Sequence, residues 1–301
     1  MFFEKEKFIA RRKAAFIICA TVFMLLRDAQ PASAQPAGTV RAAKDIRYAT
    51  RSGSDAKLNS LDVYTLEGQA AAKPVVVFIH GGGWRIGDKQ SGAKVKAESF
   101  AKAGYVFVSI NYRLSPAVTH PAHIEDVAKA LRWVHGNIAT YGGDSSQIFV
   151  MGHSAGAHLA ALIATDDRYL NAEGMSLKNL RGAILLDGGS YNMTAAIGKD
   201  ERIADAFGSD KAAWKQASPV YNVSQGKNIP PFLIIYVATR EATKRQSEQL
   251  AKALTDSGIK ADVQPASNKT HATLNKELGL PNDPPTAQVY AFLKSLTNAV
   301  R

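Results

Sequence analysis

The chain predicts an α/β fold, one mostly parallel sheet with helices on both faces. Two patterns carry that prediction. Several short runs are apolar throughout and rich in β-branched residues, as strands buried on both faces require. The segments between them place apolar residues on one helical face, so strands and helices alternate as βαβ crossovers do. There is also no internal repeat and no interdomain linker. A chain of 301 residues, 46% apolar and 21% charged, suits one large α/β domain or two small ones.

Taken in order, Leu58 to Leu66 alternates as an early strand. Val75–Ile79, Tyr105–Ile110, Gln147–Met151, Ala183–Leu186 and Phe232–Val237 are the apolar runs, and Ala261–Val263 is a weaker last member. Between them, Ile124, Val127, Ala128, Leu131, Trp133 and Val134 share a helical face, with Pro121 where that helix begins. Ala157–Ala164, Ser247–Leu254 and Ala287–Leu296 read as further helices. Tyr191 to Lys227 lacks this rhythm and is expected to form a small cap over the site.

The N-terminus stands apart. Lys5, Lys7, Arg11, Arg12 and Lys13 precede a 13-residue apolar run, Ala14–Leu26, and then the small-residue site Ala32-Ser33-Ala34. That order is a secretory signal peptide, with cleavage expected after Ala34 and a mature domain over residues 35–301. The run is too short for a membrane span, which needs about 20 residues. Bulky Ile17 and Ile18 before Cys19 argue against a lipoprotein site. Residues 1–34 hold six basic and three acidic side chains, so their removal lowers the net charge by three, from +11 to +8. It also removes the only cysteine, and with it any disulfide, thiol nucleophile or cysteine metal site. The remaining Lys and Arg are scattered and no basic run is interleaved with aromatics, so a solvated basic surface is expected, with no nucleic-acid partner. The expected location is periplasmic or secreted, with no membrane attachment after cleavage.

Gly152-His153-Ser154-Ala155-Gly156 matches G-x-S-x-G, directly after an apolar strand and opening an Ala-rich helix. That context turns a short motif into evidence for a nucleophile elbow, with Ser154 held clear of the sheet at a helix N-terminus. Side chains at the flanking positions would crowd the turn, hence glycine on both sides. His80-Gly81-Gly82-Gly83-Trp84 ends the Val75–Ile79 strand. Consecutive glycines let backbone N–H groups turn toward a developing oxyanion, and the expected donors are Gly82, Gly83 and Ala155. A phosphate-loop reading fails because Asp88 separates Gly87 from Lys89. His80 is expected to prop this loop rather than transfer protons.

His80-Gly81-Gly82-Gly83-Trp84-Arg85-Ile86-Gly87-Asp88-Lys89, Asn111-Tyr112-Arg113-Leu114, Tyr141-Gly142-Gly143-Asp144 and Gly152-His153-Ser154-Ala155-Gly156-Ala157-His158-Leu159 together resemble α/β-hydrolases of the carboxylesterase and hormone-sensitive-lipase group. The tryptophan after the glycines and the wording of the elbow resemble its kynurenine formamidase-like branch. The resemblance covers nearly all the mature chain and is strongest over residues 75–165. It implies an eight-stranded, mostly parallel sheet and hydrolysis of small esters or amides through an acyl-enzyme, with no cofactor and no metal. It also implies a base at His271, in the loop after the last strand, where the family's G-x-x-H carries its histidine. The chain order serine, acid, histidine agrees. His158, one turn into the helix after the elbow, reads as packing.

The acid departs from the family's pattern. The position expected to hold an aspartate, after Phe232–Val237, holds Thr239. Glu241 is the carboxylate in that turn and the first candidate, since glutamate serves in this role elsewhere. Asp187, ending the preceding strand before Gly188-Gly189, is the second, with a turn-forming role as its alternative. A triad without a proper acid is the third, at a cost in rate on the order of 10⁴. Arg113 and Asp126 are expected to pair inside the fold, Asp144 to shape a turn, and Met151 and Trp133 to be core.

Three functions follow. The first is a carboxylesterase acting on a small-molecule ester, with Ser154 as nucleophile, His271 as base, Glu241 as acid and Gly82, Gly83 and Ala155 as the oxyanion hole. The second is an arylformamidase acting on an amide. The third, motivated by Thr239, is a catalytically weak binding protein on a hydrolase scaffold.

Overall fold

A computed structural model describes residues 38–50, 55–68, 72–195 and 201–297, and the expected signal peptide, residues 1–34, lies outside the described residues. The strands are β1 (Val40–Arg47), β2 (Ser60–Leu66), β3 (Lys73–Ile79), β4 (Val106–Ile110), β5 (Gly143–His153), β6 (Leu180–Leu186), β7 (Phe232–Val237) and β8 (Ala261–Ala266). They form one eight-stranded sheet in the order β1-β2-β4-β3-β5-β6-β7-β8. β1 and β2 run antiparallel to their neighbours and every later pairing is parallel. The α/β-hydrolase sheet implied by the motifs is therefore present.

Alternation along each strand splits the core in two. On β3, Val75, Val77 and Ile79 face one hydrophobic cluster, whereas Val76 and Phe78 face the other. Helices α2 (Ala122–Asn137), α3 (Ala155–Thr165) and α8 (Glu241–Asp256) cover the first face, through residues such as Leu131, Leu162 and Leu250. Helices α1 (Ala93–Lys102) and α10 (Pro284–Thr297) cover the second, through Phe100 and Phe292. Short helices α4 (Asp167–Ala172), α5 (Glu201–Phe207), α6 (Lys211–Gln216), α7 (Pro219–Asn222) and α9 (His271–Glu277) complete the described elements.

The structure differs from expectation at the amino-terminal edge. β1 has no apolar run, because only every third residue is half-buried and a bulge between Ala43 and Ile46 breaks its period. The first residues of the expected Leu58–Leu66 strand belong to a 3₁₀ turn, Ala56–Asn59, whose N-cap is Asp55. Expected supporting roles hold: Asp144 accepts from Ser146 N at 2.8 Å, Met151 is fully buried, and Trp133 packs half-buried against the core.

Arg113 and Asp126 do pair. Nε and Nη2 of Arg113 donate to the two carboxylate oxygens at 2.7 and 2.8 Å, and the Arg113 backbone N–H adds a third bond at 3.0 Å. The carboxylate is fully buried, so removing it takes the main partner from a mostly buried cation that keeps Glu125 at 3.9 Å and the Ala122 carbonyl. Asp126→Ala should lower unfolding free energy by about 3 kcal/mol. Urea denaturation measures this, and a loss near zero would show that the pair is dispensable.

Candidate active site

The turn after β5 takes the shape the motif requires. Ser154 has φ 56° and ψ −120°, outside the regions an L-residue prefers. Two close approaches explain the flanking glycines. A Cβ on Gly152 would lie 2.1 Å from the Gly156 carbonyl oxygen, and one on Gly156 would lie 2.1 Å from the Ile79 carbonyl oxygen. Ser154 N–H donates to the Leu186 carbonyl at 3.0 Å, fixing the turn to β6.

The glycine loop lies beside it. Gly82 has φ +120°, and a side chain there would collide with the Ile86 carbonyl oxygen at 1.9 Å. The Gly82 carbonyl accepts from the N–H groups of Arg85 and Ile86 at 3.2 and 3.1 Å, which closes the loop. Among the described residues, the N–H groups of Gly82, Gly83 and Ala155 donate to no carbonyl outside their own elements. Gly83 and Ala155 face the same cavity as Ser154, and Gly82 sits one residue behind that wall.

Three side chains hold the loop. His80, fully buried, stacks on Tyr112 with ring centroids 4.4 Å apart and lies 2.7 Å from the Gly81 carbonyl oxygen. Burial lowers its pKa to about 4, consistent with a prop. Trp84 packs edge-on against His158 and Phe207, at 5.4 and 5.0 Å between centroids. At the far end, buried Lys89 pairs with Asp62 at 2.5 Å and Asp45 at 2.6 Å, and its N–H donates to Asn111 Oδ1 at 2.6 Å. The Lys89 anchor was missed in the sequence, because its partners lie 27 and 44 residues away.

His271 opens α9, where Thr270 caps the helix by accepting from Thr273 N–H at 3.1 Å. The carboxylate that meets it is Asp187, not Glu241: Nδ1 lies 2.6 Å from Asp187 Oδ2. Glu241 is an exposed first-turn residue of α8, and no hydrogen bond joins it to His271. Thr239 is also exposed. Asp187 directly follows β6 with φ 45° and is 1% exposed. Its carboxylate accepts from Val237 N–H at 3.0 Å and Thr243 Oγ1 at 2.9 Å, and it pairs with Arg240 Nη1. Burial pushes its pKa up, but the hydrogen bonds from His271, Val237 and Arg240 outweigh that and hold it at about 2.

An ionised Asp187 is acceptor-only, so the proton in this hydrogen bond sits on Nδ1 of His271. Arg240 Nη1, 2.8 Å from that Nδ1, is then a second donor to the shared carboxylate rather than a donor to the ring. His153, the variable residue of the elbow, lies under the imidazole at 4.4 Å between centroids, with Nε2 2.9 Å from the His271 carbonyl oxygen. Burial, reinforced by the neighbouring His271, lowers its pKa to about 3, so it stays neutral beside that ring. Arg240 and His153 carried no sequence signal for these contacts.

The cavity holding Ser154, Asp187 and His271 has a volume of about 580 Å³. From the segment expected as a cap, Ala195 and Arg202 line it, Arg202 reaches Gly83, and His158 lies 2.7 Å from the Ala217 carbonyl oxygen between α6 and α7. His158 is thus the packing residue expected of it.

A serine at a strand-to-helix turn, a glycine loop beside it and a histidine on a buried aspartate together define an α/β-hydrolase, in the carboxylesterase and hormone-sensitive-lipase-like group. The chain belongs to the BD-FAE family, whose family model matches residues 61–254. It is 33% identical over 228 residues to Esterase LipQ of Mycobacterium tuberculosis, covering 71% of this chain and 53% of that one. It is 29% identical over 237 residues to Isoprenylcysteine alpha-carbonyl methylesterase ICME of Arabidopsis thaliana, covering 73% and 55%. It is 30% identical over 226 residues to Carboxylesterase NlhH of Mycobacterium tuberculosis, covering 69% of each. The chain thus spans about half the length of LipQ and ICME. Esterase B from Lactobacillus rhamnosis superimposes with a TM-score of 0.72 at 23% identity, covering 98% of this chain and 97% of the other, which shows the shared fold. These relatives bear esterase names, and none of the three supports the narrower formamidase-like branch.

Burial holds His80, His120 and His158 near pKa 4 and His123 and His153 near 3, against an ordinary value of 6.5. Below pH 6.5 the unfolded chain takes up protons that the folded chain refuses, so stability falls as pH drops toward 4 and the loss is complete only below the folded values. The melting temperature should therefore decline steeply between pH 6.5 and 4. A flat profile over that window would contradict the neutral state of these rings.

Proposed function

We propose that this protein is a serine carboxylesterase that cleaves small carboxylic esters through an acyl-enzyme on Ser154. One observation carries the reading: the cavity lined by Ser154 is also lined by an imidazole whose Nδ1 is held by buried Asp187. In this scheme Ser154 Oγ attacks the ester carbonyl and its proton passes to Nε2 of His271. The oxyanion is met by the N–H groups of Gly83 and Ala155, with Gly82 as the third expected donor. The intermediate collapses, the alcohol leaves with the proton from His271, and the serine ester remains. His271 then deprotonates a water that attacks the acyl group, and the acid departs as Ser154 regains its proton.

The names of LipQ and NlhH support an ester over the formamide alternative. The binding-protein alternative rested on Thr239, and Asp187 supplies the carboxylate that Thr239 lacks. Measured on a short-chain aryl ester, Ser154→Ala should reduce kcat on the order of 10⁶-fold and Asp187→Asn on the order of 10⁴-fold. Glu241→Gln should keep the wild-type rate. Equal turnover by wild type and Ser154→Ala would defeat the proposal, and a large loss in Glu241→Gln would return the acid to that turn.

The charged, apolar and small-residue order of residues 1–34 supports export to the periplasm or beyond. Mass spectrometry of protein from an exporting host should find a new N-terminus at Gln35. An intact Met1 in the secreted or periplasmic fraction would count against cleavage.

A further inference from the structure

Lys96, one turn into α1, is fully buried, yet no carboxylate meets it among the described residues. Its Nζ donates to the Gly92 carbonyl at 2.8 Å, to Asn275 Oδ1 at 2.9 Å and to the Asn275 carbonyl. It also stands over the Phe78 ring, 4.9 Å from the centroid. The core on this face of the sheet, including Phe78, Phe100 and Leu274, is apolar. A methionine would fill such a position without desolvating an amine. Lys96 does not line the cavity that holds Ser154, and the proposed reaction makes no use of it.

What Lys96 holds is the helix that His271 opens. α9 has seven residues, too few to keep its place by its own hydrogen bonds. Asn275 stands four residues after His271, on the same face and one turn further along. Its carbonyl lies where the helix ends. The Gly279 N–H, which would continue the ladder to that oxygen, donates to Thr286 Oγ1 at 2.7 Å instead. Lys96 supplies the missing donor and, with Oδ1, takes both oxygens of Asn275. A cation there also suits the negative end of the helix dipole. Burial lowers the Lys96 pKa to about 7, but the neutral amine still has two N–H groups, as many as Asn275 takes. At the start of α9, His153 holds the His271 carbonyl, and Lys96 adds, after burial and His271, to the lowering of the His153 pKa. We propose that Lys96 is a positioning residue: its amine, buried between α1 and α9, fixes through Asn275 the helix that carries the base. This rests on the esterase reading and adds to it a residue outside the cavity.

Lys96→Met keeps the length of the side chain and removes its donors. On a short-chain aryl ester it should lower kcat by about tenfold or more, because small displacements of a reacting group weigh heavily on rate. KM should stay within about twofold. The unfolding midpoint in urea should not fall, since exchanging a buried amine for an apolar chain is often neutral or stabilising. Leu254→Ala, a fully buried truncation at the far end of α8, should do the reverse, lowering the midpoint while kcat stays within about twofold. Asn275→Ala removes Oδ1 but not the carbonyl, so its kcat should fall less, by about threefold, and the double variant should be no slower than Lys96→Met alone. If Lys96→Met does not fold, Asn275→Ala decides alone, and a wild-type kcat there would overturn the inference. Unchanged kcat in Lys96→Met, or losses that multiply in the double variant, would overturn it too, while wild-type turnover leaves the esterase reading intact. If the wild type hydrolyses no ester, that reading fails, and the downfield NMR signal of the proton between His271 and Asp187 still tests the support. That signal should shift or broaden in Lys96→Met, and an identical spectrum would overturn the inference.

Discussion

The backbone contact between the end of β3 and the first turn of α3 is what the site depends on. The Ile79 carbonyl occupies the space a side chain on residue 156 would need, so β5 can turn into α3 only with glycine there. His80 begins the glycine loop one residue after Ile79, so the same contact delivers that loop to the elbow. A side chain on Gly81 would already be 3.1 Å from Ser154 Cβ. Parallel register then extends the arrangement along one sheet edge: Ile79 pairs with Gly152, His153 with Leu186, Leu186 with Ile235, and Val237 with Ala266. Each strand end hands its following residues to the same cleft, which is the general placement of ligands in open parallel sheets.

Rigid support matters because the chemistry assigned to the cleft needs one nitrogen of one ring to stay unprotonated and aimed. Asp187 fixes the tautomer from beneath, Thr270 fixes the start of the helix that carries His271, and His153 fixes its carbonyl. A protonated ring beneath His271 would repel the imidazolium that the proposed proton transfer would form. Burial keeps His153 neutral and removes that conflict.

Much of this was legible from residues alone because the informative patterns are local. The five apolar runs became β3 to β7, and Gly152 and Gly156 stood where steric crowding demanded them. What could not be read depended on contacts far apart in sequence. β1 is an edge strand with a bulge, so no period marks it. Lys89 looks like a surface lysine until the β1–β2 hairpin folds over it. Asp187 was recognised only as a second candidate, since Asp-Gly-Gly reads equally well as a turn, and Glu241 was preferred because it stands in the turn where the family's acid is expected. Proximity in sequence misled there: Glu241 starts a helix and faces solvent, whereas Asp187 is 84 residues from His271 and bonded to it.

The shift of the carboxylate from the β7 turn to the end of β6 has a consequence for the whole cleft. At residue 239 an aspartate would be exposed, as Thr239 is. At residue 187 the charge is buried and spent on four donors, so little of it reaches the cavity. The vacated turn is free to contribute Arg240 instead, a cation that helps hold Asp187 ionised and projects its remaining N–H groups beside the reacting residues. A carboxylate at the end of β6 rather than in the β7 turn therefore keeps the histidine's partner and leaves Arg240 paired with it. The departure at Thr239 therefore leaves His271 with a buried carboxylate partner, supplied from the neighbouring strand.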